Sequence, residues 1–226
     1  MWEDTVVVLT TDHGHLLGEH GYWAKNYMMD YEELAHIPLI VCRPGEASRG
    51  RAVTALTATI DLMPTFMELH GATVPEHVHG RSLGAAMDGA QEHHDAVLFG
   101  YFGKDINMVT EGYSYCRQPV PDSTVHHHTA MPCAFAGFLD RGTLASAETG
   151  TFLEHTHGIP HFRMGRKSKQ HADAPDHHLV FDLTKDPKQQ HAIRDPQLDA
   201  RLATKMRQML TSVDAPPCQF TRMDLE

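Results

Sequence analysis

The sequence lacks several features that mark particular classes of protein. No apolar run approaches the roughly 20 residues that a membrane-spanning helix requires, and no charged, apolar and small-residue series opens the chain as a signal peptide would. The four cysteines have no Cys-x-x-Cys spacing, which argues against a cysteine-bound zinc ion and a disulfide framework. We therefore expect no membrane span, and free thiols favour a cytoplasmic protein.

Positive charge is also scarce. Lysine and arginine number 19 against 29 aspartates and glutamates, which gives a formal net charge of -10. This balance disfavours nucleic acid as a partner, and an anionic substrate would depend on positive groups placed locally. With 226 residues, of which 41% are hydrophobic, the chain can bury one sizeable core or two small ones.

The most informative stretch begins with β-forming residues at 5–11 and continues into Asp12, His13 and Gly14. Such a run predicts a strand buried on both faces, with polar side chains at its carboxyl end, where open α/β sheets hold their sites. Asp12 offers a carboxylate oxygen and His13 a ring nitrogen, so the pair can bind a divalent cation. A plain turn after a strand is the alternative, because two ligands do not complete a metal site.

Further motifs follow this tripeptide in a fixed order. They are Leu-Gly-Glu-His-Gly at 17–21, Lys25, Tyr-Glu-Glu at 31–33, Ile-Pro-Leu-Ile at 37–40, Arg-Pro-Gly at 43–45, Thr-Ile-Asp-Leu-Met-Pro-Thr at 59–65 and His-Gly-Arg-Ser-Leu at 79–83. This series resembles the sulfatase family of the alkaline-phosphatase-like superfamily. The resemblance covers most of the chain, and residues 120–174 match least.

The resemblance implies a site built by four residues. Asp12 and His13 would be two ligands of the catalytic divalent ion, Ca²⁺ in the first place, with Mn²⁺ or Zn²⁺ as alternatives. Lys25 would contact the sulfate group of the substrate. His20 lies in the same loop and would reach the leaving oxygen.

A sulfatase also needs a nucleophile, the formylglycine made from the Cys or Ser of a Cys-x-Pro-x-Arg motif. None of the four cysteines lies in such a motif. In the family's order the motif comes before the first matching segment, so we expect the chain to be the carboxy-terminal portion of a sulfatase-like enzyme. A missing amino-terminal half or a second copy of the chain is therefore an expected partner.

Resemblance and residue patterns together predict a mixed α/β fold. We expect an alkaline-phosphatase-like partial sheet with helices at 1–96 and a smaller α+β part with an antiparallel sheet at 97–226. β-forming segments on either side of Glu111-Gly112 predict a two-residue hairpin. Near the end of the chain, Asp195 and Pro196 predict the start of a helix with one apolar face.

The implied activity is metal-dependent hydrolysis of sulfate monoesters, with a sulfated small molecule or carbohydrate as the substrate. The alternative within enzymes is a phosphomonoester or phosphonate ester hydrolase of the same superfamily, since an Asp-His metal pair serves both reactions. A third interpretation is a non-catalytic fragment or subunit that binds a metal ion or a complementary half.

Two other positions carry predictions. Asp61 lies where a helix N-cap belongs, and a metal ligand is the less favoured alternative. The three histidines at 126–128 are interpreted as a solvated loop, because adjacent side chains point in different directions and chelate poorly.

Overall fold

The computed structural model describes residues 3–45, 50–134, 137–171 and 173–226. The strands are β1 (Val7–Thr10), β2 (Leu16–Leu17), β3 (Trp23–Ala24), β4 (Leu39–Cys42), β5 (Ala96–Phe99), β6 (Ile106–Thr110), β7 (Tyr113–Arg117), β8 (Thr124–Thr129), β9 (Cys133–Ala134), β10 (Gly137–Phe138), β11 (Glu148–Gly150), β12 (His161–Lys167) and β13 (Leu179–Asp182). The helices are α1 (Glu32–Ala35), α2 (Leu62–Leu69), α3 (Gly84–Met87), α4 (Arg141–Ala145), α5 (Pro196–Ser212) and α6 (Pro217–Arg222).

The mixed α/β fold with antiparallel sheets and a helix near the end of the chain is confirmed. Single 3-10 turns lie at Glu19–Gly21, Thr59–Asp61 and Glu154–Thr156. Within the described ranges, every helix falls short of the length and apolar character needed to cross a membrane.

The chain divides into two compact units. Unit 1 comprises Met1–Phe99, Asn107–Tyr115 and Val180–Ile193, and unit 2 comprises Gly100–Ile106, Cys116–Leu179 and Arg194–Glu226. The first stretch of unit 1 ends close to the predicted boundary after residue 96, and two later stretches return to the same unit. The division into consecutive domains at 1–96 and 97–226 stays a prediction.

The strand expected to be buried on both faces is exposed instead. β1 pairs antiparallel with β4 in a two-stranded ribbon, with Leu9 opposite Ile40. Leu9 is 56% exposed and Ile40 61%. Apolar composition indicates that a strand can be buried, but it does not specify what covers it, and a two-stranded ribbon leaves its outer edges open. The prediction of a doubly buried strand is therefore wrong.

Most residues of the four-stranded sheet belong to unit 1. The strand order is β13-β7-β6-β5, and β5 runs antiparallel to β6. The predicted hairpin is confirmed, since Glu111 and Gly112 connect β6 to β7 with φ values of 51° and 80°. These left-handed conformations are the ones that a two-residue type I′ turn requires. Met108 and Tyr115 on these two strands are fully buried.

Unit 2 contains a three-stranded antiparallel sheet in the order β11-β12-β8. The histidines at 126–128 lie within β8 and face Gly165, Met164 and Arg163 of β12 in register. The loop interpretation of this segment is therefore wrong. Pairing with a distant strand extends the three residues, and their side chains alternate between the two faces of the sheet.

The predicted helix near the end of the chain is confirmed as α5. Asp195 caps its first turn, because the carboxylate accepts hydrogen bonds from the N–H groups of Gln197 at 2.9 Å and Leu198 at 3.2 Å. Pro196 follows as the first helical residue, where its missing N–H costs nothing. The apolar face is buried in unit 2 through Leu202, Met206 and Leu210.

Candidate active site

The turn after β1 places two of the predicted ligands side by side. Asp12 turns one oxygen, Oδ1, back to accept a hydrogen bond from the N–H of His13 at 3.1 Å. Nε2 of His13 lies 3.4 Å from the other oxygen, Oδ2. The N–H of Gly14 donates to the carbonyl of Leu34 at 2.9 Å, which ties the turn to α1. The two side chains are therefore presented together at the end of the strand.

Lys25 comes back to this turn because β2 and β3 pair antiparallel and reverse the chain. Its ammonium Nζ contacts Nε2 of His13, while Nδ1 of His13 lies 2.7 Å from the carbonyl oxygen of Gly14. A carbonyl oxygen only accepts, so Nδ1 carries a proton, and in the neutral form of the ring Nε2 keeps its lone pair. An unprotonated nitrogen therefore faces both Lys25 and Asp12.

The Asp12 side chain is open to solvent, with 82% of its surface exposed. Burial by itself would raise its pKa, but the positive charge that the His13 ring carries in its protonated form, together with hydrogen bonds from backbone N–H groups and Thr11, outweighs this effect. They hold the pKa of the Asp12 carboxyl below its ordinary value. The carboxylate is therefore ionised at neutral pH and accessible to a cation.

His20 makes its contacts with other residues of unit 1. Its ring stacks on Tyr31 with centroids 3.6 Å apart and planes inclined by 5°. Its Nε2 lies 3.5 Å from Oε2 of Glu33. The backbone of His20 is left-handed, with φ at 53°, so the loop holds this side chain against α1. The structure thus brings Asp12, His13 and Lys25 together and directs His20 to Tyr31 and Glu33.

Two sequence comparisons identify the relatives of this chain. Residues 18–118 match the family described as N-sulphoglucosamine sulphohydrolase, C-terminal. Over 81 residues, or 36% of this chain, the sequence is 38% identical to N-acetylglucosamine-6-O-sulfatase of Bacteroides thetaiotaomicron. Residues 18–118 of the chain are therefore similar to sulfatases. They match the carboxy-terminal portion described for that family, as the order of the motifs predicts.

Two further comparisons concern a curated protein and a solved structure. A multifunctional alkaline phosphatase superfamily protein of Trinickia caryophylli is 35% identical over 89 residues, which are 36% of this chain and 16% of that protein. A solved structure of a protein in complex with its substrate D-glucosamine-2-N,6-O-disulfate is 18% identical and covers 92% of this chain with a TM-score of 0.55. This second likeness shows the fold.

The chain spans only part of these sulfatase relatives. The aligned segment is 14% of the length of the Bacteroides sulfatase, and the structural match covers 33% of the chain solved with the disulfated sugar. A segment of the chain is therefore similar to sulfatases, while activity and substrate belong to the proposals below.

The donor chemistry of this turn fits a divalent cation. Asp12 supplies an exposed carboxylate and His13 an unprotonated ring nitrogen. Ca²⁺ takes roughly six to eight oxygen ligands, of which Asp12 provides a suitable one, and Mn²⁺ also suits oxygen ligands, while the imidazole nitrogen of His13 suits Zn²⁺. The two residues thus fit as part of a coordination sphere, and other atoms must supply the remaining ligands.

Asp61 precedes α2 as predicted, but its carboxylate does not cap that helix. Instead, it accepts hydrogen bonds from the N–H groups of Ala58 and Arg81, and Nε2 of both His93 and His94 approaches it. The side-chain cap prediction is therefore wrong. Sequence reasoning missed the two histidines because they lie more than thirty residues along the chain, and no local spacing links them to Asp61.

Proposed function

We propose that the protein is a metal-dependent hydrolase of sulfate monoesters, with Asp12, His13 and Lys25 in its site. The observation that carries the proposal is the contact of the Lys25 ammonium with the unprotonated nitrogen of His13, beside the ionised carboxylate of Asp12. An ammonium next to cation ligands provides positive charge where a sulfate group binds. The named sulfatase activity of a relative supports the same assignment.

Each residue has a distinct role in this proposal. Lys25 donates N–H groups to sulfate oxygens and offsets the negative charge on the transferring group. Asp12 and His13 hold the divalent ion, which when bound supplies Lewis-acid polarisation of a sulfate oxygen. His20 stays the candidate for contact with the leaving oxygen, which requires its ring to turn from Tyr31 and Glu33 toward Lys25. The formylglycine nucleophile and the other metal ligands come from outside the residues described.

We propose a sulfated amino sugar as the substrate class. The support comes from the matched relatives, one named for N-acetylglucosamine 6-O-sulfate chemistry and one solved with a disulfated glucosamine. A sugar sulfate presents an anionic ester that Lys25 and the bound cation can recognise together. The formal charge of -10 on the whole chain makes these local positive groups decisive for binding.

The decisive experiment uses the protein as isolated from its natural source, with its metal retained. We expect it to hydrolyse glucosamine 6-sulfate and an aryl sulfate. Lys25→Ala should lower kcat/KM for both by roughly 10² or more, because a positive contact to the reacting group is lost, with an unchanged midpoint of thermal unfolding. Lys188→Ala is the matched control, since this lysine is exposed in the same unit.

Two results would overturn the proposal. One is the absence of sulfate hydrolysis by the natural protein with its metal bound. The other is a Lys25→Ala variant whose activity and stability fall together, as expected for a structural lysine. The intact native mass adds a test of the expected partner, because one polypeptide well above 25.3 kDa would contain an additional segment.

The second candidate is hydrolysis of phosphomonoesters or phosphonate esters. The match to a multifunctional alkaline phosphatase superfamily protein supports this second candidate. Metal preference separates the two functions, since Ca²⁺ favours sulfate ester hydrolysis and Mn²⁺, Zn²⁺ or iron favours the phosphoryl reaction. Assays of sulfate and phosphate esters with each metal therefore compare the two candidates directly.

A further inference from the structure

Three potential metal ligands converge inside unit 1 on the side chain of Asp61. Nε2 of His94 lies 2.9 Å from both Asp61 oxygens, and Nε2 of His93 lies 3.2 Å from Oδ2. One ligand atom from each residue lies within 4.8 Å of the others. The Asp61 side chain is completely buried, and the two histidine side chains are 6% and 10% exposed. The cluster is therefore nearly closed to bulk water.

Backbone contacts fix the carboxylate in place. Oδ2 of Asp61 accepts the N–H of Ala58 at 2.8 Å, and Oδ1 accepts the N–H of Arg81 at 2.9 Å. Gly80 lets the second segment approach, because a Cβ there would lie 2.1 Å from the carbonyl oxygen of Ile60. Burial raises the Asp61 pKa, but these hydrogen bonds outweigh burial and hold the pKa below its ordinary value. The group is therefore an oriented anion.

Backbone contacts also position the two histidines. His94 forms an antiparallel bridge with Leu56, to whose carbonyl its N–H donates at 3.3 Å. The carbonyl of His93 accepts a hydrogen bond from Nη1 of Arg81 at 3.1 Å. The two rings meet edge to face, with centroids 4.4 Å apart and planes inclined by 72°. Two adjacent residues thereby direct their Nε2 atoms toward one carboxylate.

These separations are close to, and slightly shorter than, those between ligands that share a metal ion. Zn²⁺ binds imidazole nitrogen and carboxylate oxygen at about 2.0–2.2 Å, so two ligands at a tetrahedral angle are about 3.3 Å apart. The observed distances between nitrogen and oxygen are 2.9 to 3.2 Å. We propose that Asp61, His93 and His94 form a binding site for a divalent transition-metal ion such as Zn²⁺. Two imidazoles and a carboxylate are a common ligand set for these ions.

The same geometry also permits a metal-free arrangement, in which each Nε2 carries a proton and donates it to Asp61. Substitution of either histidine by glutamine distinguishes the two arrangements, because the glutamine amide can donate a hydrogen bond to the carboxylate but is a poor ligand for Zn²⁺. His93→Gln and His94→Gln therefore remove the metal ligand while keeping a donor. Far-UV circular dichroism and thermal unfolding without metal show whether each variant is folded.

The test is titration of the full chain with Zn²⁺ by calorimetry, followed by Co²⁺ as a spectroscopic substitute. We expect one site per chain that is stronger than the background from the other histidines. Each glutamine variant should weaken this site by more than about tenfold, since losing even an indirect partner of a ligand costs that much. The Co²⁺ complex should show visible d–d absorption that His94→Gln abolishes.

The chain has 19 histidines, so the control must measure adventitious binding. The double variant His155→Gln/His157→Gln removes two exposed histidines of unit 2 and should leave the strong site unchanged. Equal Zn²⁺ affinity for the original chain and for folded His93→Gln and His94→Gln would overturn the proposal. Metal affinity is the measured quantity throughout, so the result does not depend on the proposed sulfate chemistry.

Discussion

Gly14 approaches the backbone of Glu33 so closely that a Cβ at position 14 would lie 1.7 Å from the Glu33 carbonyl oxygen. The obstacle is backbone, so it cannot move aside as a flexible side chain could. Beside this close approach, the hydrogen bond from the Gly14 N–H to the Leu34 carbonyl holds the turn that carries Asp12 and His13 against α1. Glycine is thus required here by the close packing of two backbone segments.

Gly14→Ala should lower the free energy of unfolding by roughly 1–3 kcal/mol, because the added methyl group must displace main chain. Urea denaturation gives this value directly. Gly165→Ala is the control, since a Cβ there would meet its nearest neighbour, the side chain of Thr124, at an ordinary 3.6 Å. An equal loss in both variants would contradict the proposed cause.

The exposed ribbon of β1 and β4 should make the isolated chain self-associate. Leu9 and Ile40 lie opposite each other and are both more than half exposed, and exposed apolar strands pair readily with other chains. Leu9→Lys and Ile40→Lys should each shift the sedimentation profile toward monomer. Phe138→Lys is the control and should have little effect, because Phe138 is 86% exposed but lies outside the ribbon. A monomeric original chain with cooperative unfolding would refute the prediction.

Asp182 should make stability depend on pH in the acidic range. The hydrogen bond from Lys185 at 2.7 Å and those from Thr184 lower its pKa to about 2. A folded pKa below the unfolded one means that the carboxylate stabilises the fold above about pH 4, and that this contribution is lost as the pH falls toward about 2. Asp182→Asn should therefore unfold at a lower temperature than the original chain at pH 6.

The difference between these two unfolding temperatures should shrink as the pH falls from about 4 to about 2, where the original carboxylate also becomes neutral. Differential scanning calorimetry over this range measures it. A difference that stays constant with pH would show that Asp182 acts through its shape or hydrogen bonds and not through its charge.

His128 should destabilise unit 2 on mild acidification. Burial, followed by the charges of His161, His126 and Arg163, lowers its pKa to about 4. Nδ1 of His128 lies 3.1 Å from Nε2 of His161, so protonation places like charges together. Between about pH 6.5 and 4 the unfolded state binds the extra proton more readily. Lowering the pH through this window therefore lowers the free energy of unfolding.

His128→Asn should flatten the dependence of the unfolding temperature on pH between about 6.5 and 4, since the titrating group is gone. The matched control is His155→Asn, at an exposed histidine of the same unit. It should keep the slope of the original chain. The prediction fails if the original chain and both variants lose stability in parallel as the pH is lowered.

Local features of this protein were determined by the sequence itself. The Glu111-Gly112 turn, the cap at Asp195 and the buried face of α5 all depend on residues a few positions apart, whose conformational preferences are expressed wherever the chain is placed. The order of short motifs likewise indicated the similarity to sulfatases. Gly14 of the Asp-His-Gly turn is another such local feature, because a glycine at this position by itself indicates a tight turn.

Contacts between distant residues were decided only by the tertiary structure. His93 and His94 meet Asp61 across 32 and 33 positions, and the strand containing His128 exists through its pairing with β12. The exposure of Leu9 depends on which elements cover β1 and not on its own side chain. A periodic pattern indicates which face of an element is apolar. Long-range packing determines which other element covers that face and which distant side chains meet there.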